Sequence, residues 1–322
     1  MKKIVLGRTN QRVSKISLGT WSFGGPNKTG SVSVGWSDQN ESDSIAALTR
    51  AWERKINHWD TADVYGDGQA EKIIGKMWKV IPRDDIFLAT KVGWDKGDYR
   101  HWYHPKQMIK NMERSLKYLN TDCVDLLYLH HCNFGKDGEY FDSALEVLKK
   151  FKEAGKTRFI GLSDWSCKKI MRFIHRCDPD VVQPLRNLLD DRYHESGLKT
   201  YVEKHNLGVC FFSPLKHGFL TGKYNAIPKF KDGDHRKQIE VFKNIGLIKK
   251  MRKNRNKLKE HFSNINNPVL HGIINALLID SKTGCVLLGQ RNEKQVDMAA
   301  SIDNLIENYQ TNLNLHVAKT GN

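Results

Sequence analysis

The chain lacks any uninterrupted apolar stretch near the roughly 18 residues that a membrane helix needs. No apolar region follows Met1-Lys2-Lys3 as it would in a signal peptide, so a cytoplasmic protein is expected. The six cysteines (Cys123, Cys132, Cys167, Cys177, Cys210, Cys285) form no CxxC pair and no zinc-like grouping, which argues against a disulfide framework or a structural metal. Prolines number only 8, and no Pro/Ser-rich linker or shift in composition divides the 322 residues, so a single domain over 1–322 is expected. No zinc-finger or RRM signature accompanies the basic charge. That charge is +16, from 52 Lys+Arg against 36 Asp+Glu, and it is spread along the chain. It favours anionic ligands, and a negatively charged cofactor accounts for it without a nucleic-acid partner.

What is present is a repeating alternation. Ile4-Val5-Leu6, a turn at Gly7–Gln11 and Val13–Leu18 read as a hairpin leading into a first buried strand that stops at Gly19. Strand-like runs follow at Ile56–Asp60, Ile86–Lys91, Val124–His130, Phe159–Ser163, Val181–Gln183, Val209–Phe212 and Val286–Gly289. Between them, Glu41–Arg54, Ala70–Val80, Pro105–Leu119, Phe141–Ala154, Cys167–Arg176 and Glu293–Ile306 space their apolar residues at helical intervals. Eight strands separated by helices predict an α/β chain closed into a (β/α)8 TIM barrel with an N-terminal β-hairpin. The least regular stretch, Tyr224–Asn267, crowds basic residues around few apolar ones. It reads as a surface loop and a solvated helix face, with a lid or electrostatic funnel beside the site as the sharper alternative.

Four ionisable residues stand at or just beyond strand ends: Asp60, Tyr65, Lys91 and His130. Barrel enzymes build their sites at that face. A phenol titrates near pH 10, so Tyr65 acts as an acid at neutral pH only if a cation favours its phenolate, and Lys91 is placed to supply one. Asp60 is the anion that keeps Lys91 charged in a desolvated pocket, and His130 offers an imidazole to a substrate oxygen. Together they suit protonation of a carbonyl that is receiving a hydride. His130-His131 raises a metal site, but neighbouring strand residues face opposite ways, so no catalytic metal is expected.

With these residues in place the chain resembles the aldo-keto reductase superfamily. The match runs through Gly19-Thr20-Trp21, Asp60–Gly75, Thr90-Lys91, Asp125–His130, Gly161-Leu162-Ser163, Gln183, Ser213-Pro214-Leu215, Gly218, Thr221–Tyr224, Gly289-Gln290-Arg291 and Gln295. The resemblance implies a catalytic tetrad of Asp60, Tyr65, Lys91 and His130, with Tyr65 as proton donor, and NADPH as the cofactor. It implies cofactor contacts from Gly19, Thr20, Trp21, Asp60, Ser163, Asp164, Gln183, Phe212, Ser213, Pro214, Leu215, Gly218, Gly289, Arg291 and Gln295. Arg291, just before a helix opened by Asn292-Glu293, is expected to face a 2′-phosphate.

Departures from the pattern accompany the likeness. Asp164 stands where Asn is usual, and an aspartate accepts but does not donate hydrogen bonds. Ala299 replaces a polar residue near the adenine, and Gln183 runs into Pro184-Leu185-Arg186-Asn187. Trp21, Trp94, Trp102 and Tyr103 are expected to line the substrate side. The expected activity is NADPH-dependent reduction of a small-molecule aldehyde or ketone. The alternative is a partner subunit that binds NADPH as a sensor, as potassium-channel β subunits of this superfamily do.

Overall fold

The computed structural model describes residues 1–279 and 281–302. Eight parallel strands close into a barrel: β1 (Ile16–Gly19), β2 (His58–Asp60), β3 (Phe87–Val92), β4 (Val124–Leu129), β5 (Thr157–Asp164), β6 (Val181–Pro184), β7 (Gly208–Phe211) and β8 (Gly284–Gly289). Each pairs with its sequence neighbour and β8 returns to β1, as expected from the alternation. Helices cross between them: α1 (Glu41–Glu53), α2 (Gln69–Gly75), α3 (Pro105–Leu119), α4 (Phe141–Glu153), α5 (Cys167–Cys177), α6 (Arg192–Glu195), α7 (Leu198–Lys204), α8 (Ile245–His261), α9 (Pro268–Leu278) and α10 (Glu293–Ala300).

Local chemistry explains where several of them begin. Asn40, Ser166 and Asn292 cap α1, α5 and α10 by accepting from Asp43 N, Lys169 N and Gln295 N. Pro105 occupies the first turn of α3, where its missing N–H costs nothing. The helix expected over Glu293–Ile306 is observed to Ala300, and 303–306 lie outside the described residues. The basic stretch resolves into short turns followed by α8, whose Ile248, Met251 and Leu258 are buried while its lysines face outward. The apolar helix α9 and the short pair α6 and α7 were not foreseen.

Strand pleating sorts the core into two. Leu126, Tyr128, Phe87, Ala89, Val181, Cys210 and Cys285 share a cluster with Ile4, Leu6 and Val13 of the hairpin. Leu88, Leu127, Leu129 and Trp59, one residue out of phase, pack into the larger cluster that takes in the helices. The hairpin pairs Lys3–Val5 with Arg12–Ser14 and seals the N-terminal end of the barrel. A Cβ on Gly7 would meet Gly208 N at 2.2 Å, so only glycine lets the hairpin approach β7 this closely.

Candidate active site

The same two-residue period carries the site upward. Asp60 stands two residues above His58, Lys91 two above Ala89, His130 two above Tyr128 and Gln183 two above Val181, so all four arrive at the C-terminal end of the barrel. Lys91 Nζ forms an ion pair with Asp60 Oδ1, donates to Thr61 O at 2.8 Å and lies 3.4 Å from Tyr65 Oη. Asp60 Oδ2 accepts from Gln183 Nε2 at 2.8 Å. The Tyr65 and His130 rings meet edge-on at 5.9 Å. Tyr65 is held by a crossing of two loops: Gly66 has φ +60°, and a Cβ there would strike Gly24 O at 2.2 Å.

Burial governs the protonation states. It pushes the Tyr65 phenol above its ordinary range, and the opposing pull of Lys91 does not overcome it. Lys91 thus favours the phenolate as expected, but its pull is smaller than the cost of burial. Desolvation disfavours the charged form of Lys91, yet Asp60 and Tyr65 hold its ammonium above the usual lysine range. Burial, then Lys91 and His131, drive His130 well below the usual histidine range, so its imidazole is neutral. Behind Tyr65, buried Asp63 has no hydrogen-bond partner on either carboxylate oxygen, and Arg114 Nη2 is 3.9 Å from its Oδ2. Burial raises Asp63 well above the carboxylate range and Glu71 to about 7, where Thr90 Oγ1 donates to Glu71 at 2.7 Å.

A cleft of about 1390 Å3 opens over these residues. Every residue named from the sequence for catalysis or cofactor contact borders it, including Gly19, Thr20, Trp21, Ser163, Asp164, Gln183, Phe212, Pro214, Leu215, Gly289 and Gln295. The loop after β7 is the most constrained wall: Ser213, Lys216 and His217 all have positive φ, followed by Gly218 at +85°. Such strain in non-glycine residues persists where the surroundings enforce it, commonly at ligand sites.

Three expectations change in detail. Asp164 borders the cleft, but its oxygens accept from Cys132 N and Ser166 N, both at 2.7 Å, so the aspartate ties two loops together. Arg291 gives Nε to Gln39 Oε1 at 2.9 Å and Nη2 to the Ser37 and Asp38 carbonyls, fastening the loop after β1. Tyr103 is fully buried and donates to His131 O at 2.5 Å; Trp102 Nε1 donates to Asn133 O at 3.1 Å, and neither lines the cleft.

Trp21 and Trp94 do line it, joined by Trp36, Trp165, His217 and His235, which the sequence did not reveal. Trp21 lies 5.6 Å from Trp36 and 4.9 Å from His235, and Trp94 lies 5.9 Å from Trp165. The basic stretch supplies part of this wall: Ser37 N and Oγ donate to Asp234, and Arg236 rests over the Trp36 ring at 4.8 Å. Lys223, in the Thr221–Tyr224 motif, has no ion-pair or hydrogen-bond partner among the described residues. Desolvation, then Arg236 and Arg291, hold its amine below the usual lysine range.

A barrel with these residues at its rim defines a class, and the profile of the Aldo/keto reductase family matches residues 15–308: the chain belongs to that family, whose members are nicotinamide-dependent oxidoreductases. Among individual relatives, it is 34% identical over 228 residues to the aldo-keto reductase yakc [NADP(+)] of Schizosaccharomyces pombe, a match spanning 66% of each chain. It is 30% identical over 257 residues to a probable voltage-gated potassium channel subunit beta of Arabidopsis thaliana, covering 74% of this chain and 71% of the relative. The glycerol dehydrogenase from Gluconobacter oxydans superposes with a TM-score of 0.77 at 25% identity, over 94% of this chain and 90% of that one. No helix among the described residues is long and apolar enough to cross a membrane.

Proposed function

We propose that the chain works as a single barrel domain in the cytoplasm, reducing a small-molecule aldehyde or ketone with NADPH, with Tyr65 as proton donor. The observation that carries this reading is the contact of Tyr65 Oη with the Lys91–Asp60 pair at the floor of the cleft. The cleft suits the cofactor: Phe212 offers an aromatic face, Gln183 and Ser163 offer amide and hydroxyl groups, and Lys223 offers an unpaired cation for phosphate. When bound, the reduced nicotinamide supplies a hydride.

The protein's part is proton handling and exclusion of water. Tyr65, kept protonated by burial, gives its proton to the carbonyl oxygen as negative charge develops there. Lys91 then faces the phenolate and stabilises it, while Asp60, fixed by Gln183, keeps Lys91 ionised and aimed. Neutral His130 hydrogen-bonds the same oxygen without competing for the proton. Trp21 and Trp94 wall the substrate side.

Tyr65→Phe is expected to retain NADPH binding and lose carbonyl reduction by roughly 100-fold or more, followed by NADPH absorbance. Undiminished turnover would remove Tyr65 from the mechanism. The likeness to the Arabidopsis channel subunit supports a second reading, a cofactor-binding sensor. Tight NADPH binding with negligible turnover across a carbonyl panel would favour it.

A further inference from the structure

One layer beneath Asp60, inside the barrel, three inward positions from three strands converge: His58 on β2, Cys210 on β7 and Cys285 on β8. All three are at 0% exposure, and their ligating atoms lie within 4.8 Å of one another. Cys210 and Cys285 are register partners on adjacent parallel strands, so their side chains project the same way. His58 Nδ1 lies 3.6 Å from Cys285 Sγ. Ser17 Oγ, on β1 between β8 and β2, lies 2.8 Å from the same nitrogen.

One edge of the cluster has the length that a zinc ion sets. With Zn–S near 2.3 Å and Zn–N near 2.0–2.1 Å, the S···N edge of a tetrahedron is about 3.6 Å, which is the separation of Cys285 and His58. The donor set also selects. Two sulfurs and an imidazole suit a thiophilic ion, and without a carboxylate the cluster is poor for calcium or magnesium. Burial settles the charge. Two thiolates neutralise a dication, whereas a monovalent soft ion would leave a net negative charge in a dry core. The strands surround the cluster, and Leu6 and Val13 of the hairpin belong to the same apolar cluster as both cysteines, so the ion would enter during folding.

We propose that His58, Cys210 and Cys285 hold a structural zinc ion under the floor of the active site. The sequence hides it, because His58 and Cys285 stand 227 residues apart. The proposal does not depend on the reductase reading.

The full chain can be unfolded in guanidinium with a chelator and refolded with or without zinc, then freed of loose metal by gel filtration. The expected result is one zinc per chain and a higher thermal midpoint for the zinc-refolded protein. Cobalt in place of zinc should add sulfur-to-cobalt charge-transfer absorption. Cys285→Ala and Cys210→Ala should lose that absorption, and Cys177→Ala, a buried cysteine outside the cluster, should keep it. A wild type that refolds with no bound zinc and an unchanged midpoint would overturn the proposal, whether or not the variants fold. Recovery of a Cys210–Cys285 disulfide from the metal-free native protein would overturn it too.

Discussion

The ion pair between Lys91 and Asp60 invites a double-mutant cycle, because its side chains are only 2% and 1% exposed. In Lys91→Met, Asp60 keeps a single neutral donor, Gln183 Nε2 at 2.8 Å, and a buried carboxylate is left without its cation. In Asp60→Asn, the Lys91 ammonium keeps Thr61 O at 2.8 Å and the Tyr65 hydroxyl at 3.4 Å, again without a counterion. Breaking one side of a buried pair typically costs about 3–5 kcal/mol. At about 2 °C per kcal/mol, the low end for large domains, each single variant should lose about 6–10 °C in Tm. The double variant buries no charge at this point, so its loss should fall well short of the sum of the two. Thermal and urea unfolding of the four proteins gives the coupling directly. Additivity within about 0.5 kcal/mol would show that the two charges do not interact as the geometry requires.

Glu71 should make stability depend on pH. Its folded pKa of about 7 exceeds the ordinary 4.5, so the folded chain holds this proton more tightly; the resulting stability is complete below about pH 4.5 and is lost as pH rises through 7. The loss is about 3 kcal/mol, and Glu71→Gln should flatten the urea midpoint across that window; an unchanged slope would refute the assignment. Lys223→Ala should weaken NADPH by roughly 10- to 100-fold, the scale of one charge-assisted bond, with a change in Tm of no more than about 2 °C, since its ammonium only rests over the Tyr224 ring at 5.2 Å. Arg291→Ala should also lower Tm, because its guanidinium fastens Gln39 and the carbonyls of Ser37 and Asp38; tryptophan quenching and thermal melts separate the two, and identical behaviour would contradict the hydrogen-bond pattern.

Features that depend on near neighbours along the chain are legible from the residues alone. Eight buried runs separated by helical periodicity require parallel pairing, and Asn40, Ser166 and Asn292 set helix starts through bonds to residues three positions on. Asp60, Lys91 and His130 were legible because strand pleating carries alternate residues to one barrel rim. Tertiary structure alone decided the rest. Trp36, His235 and Arg236 join the cleft because Asp234 reaches back 197 residues to Ser37, and no local pattern encodes that contact. Tyr103 looked like a cleft group yet is buried in the core, and Arg291 borders the cleft while its guanidinium fastens a loop. His58, Cys210 and Cys285 meet only when β7, β8 and β2 come round the barrel. The acidity of Tyr65 and Glu71 was equally invisible, since it follows from how completely folding removes water around them, and desolvation is a property of the closed barrel rather than of the residues flanking each group.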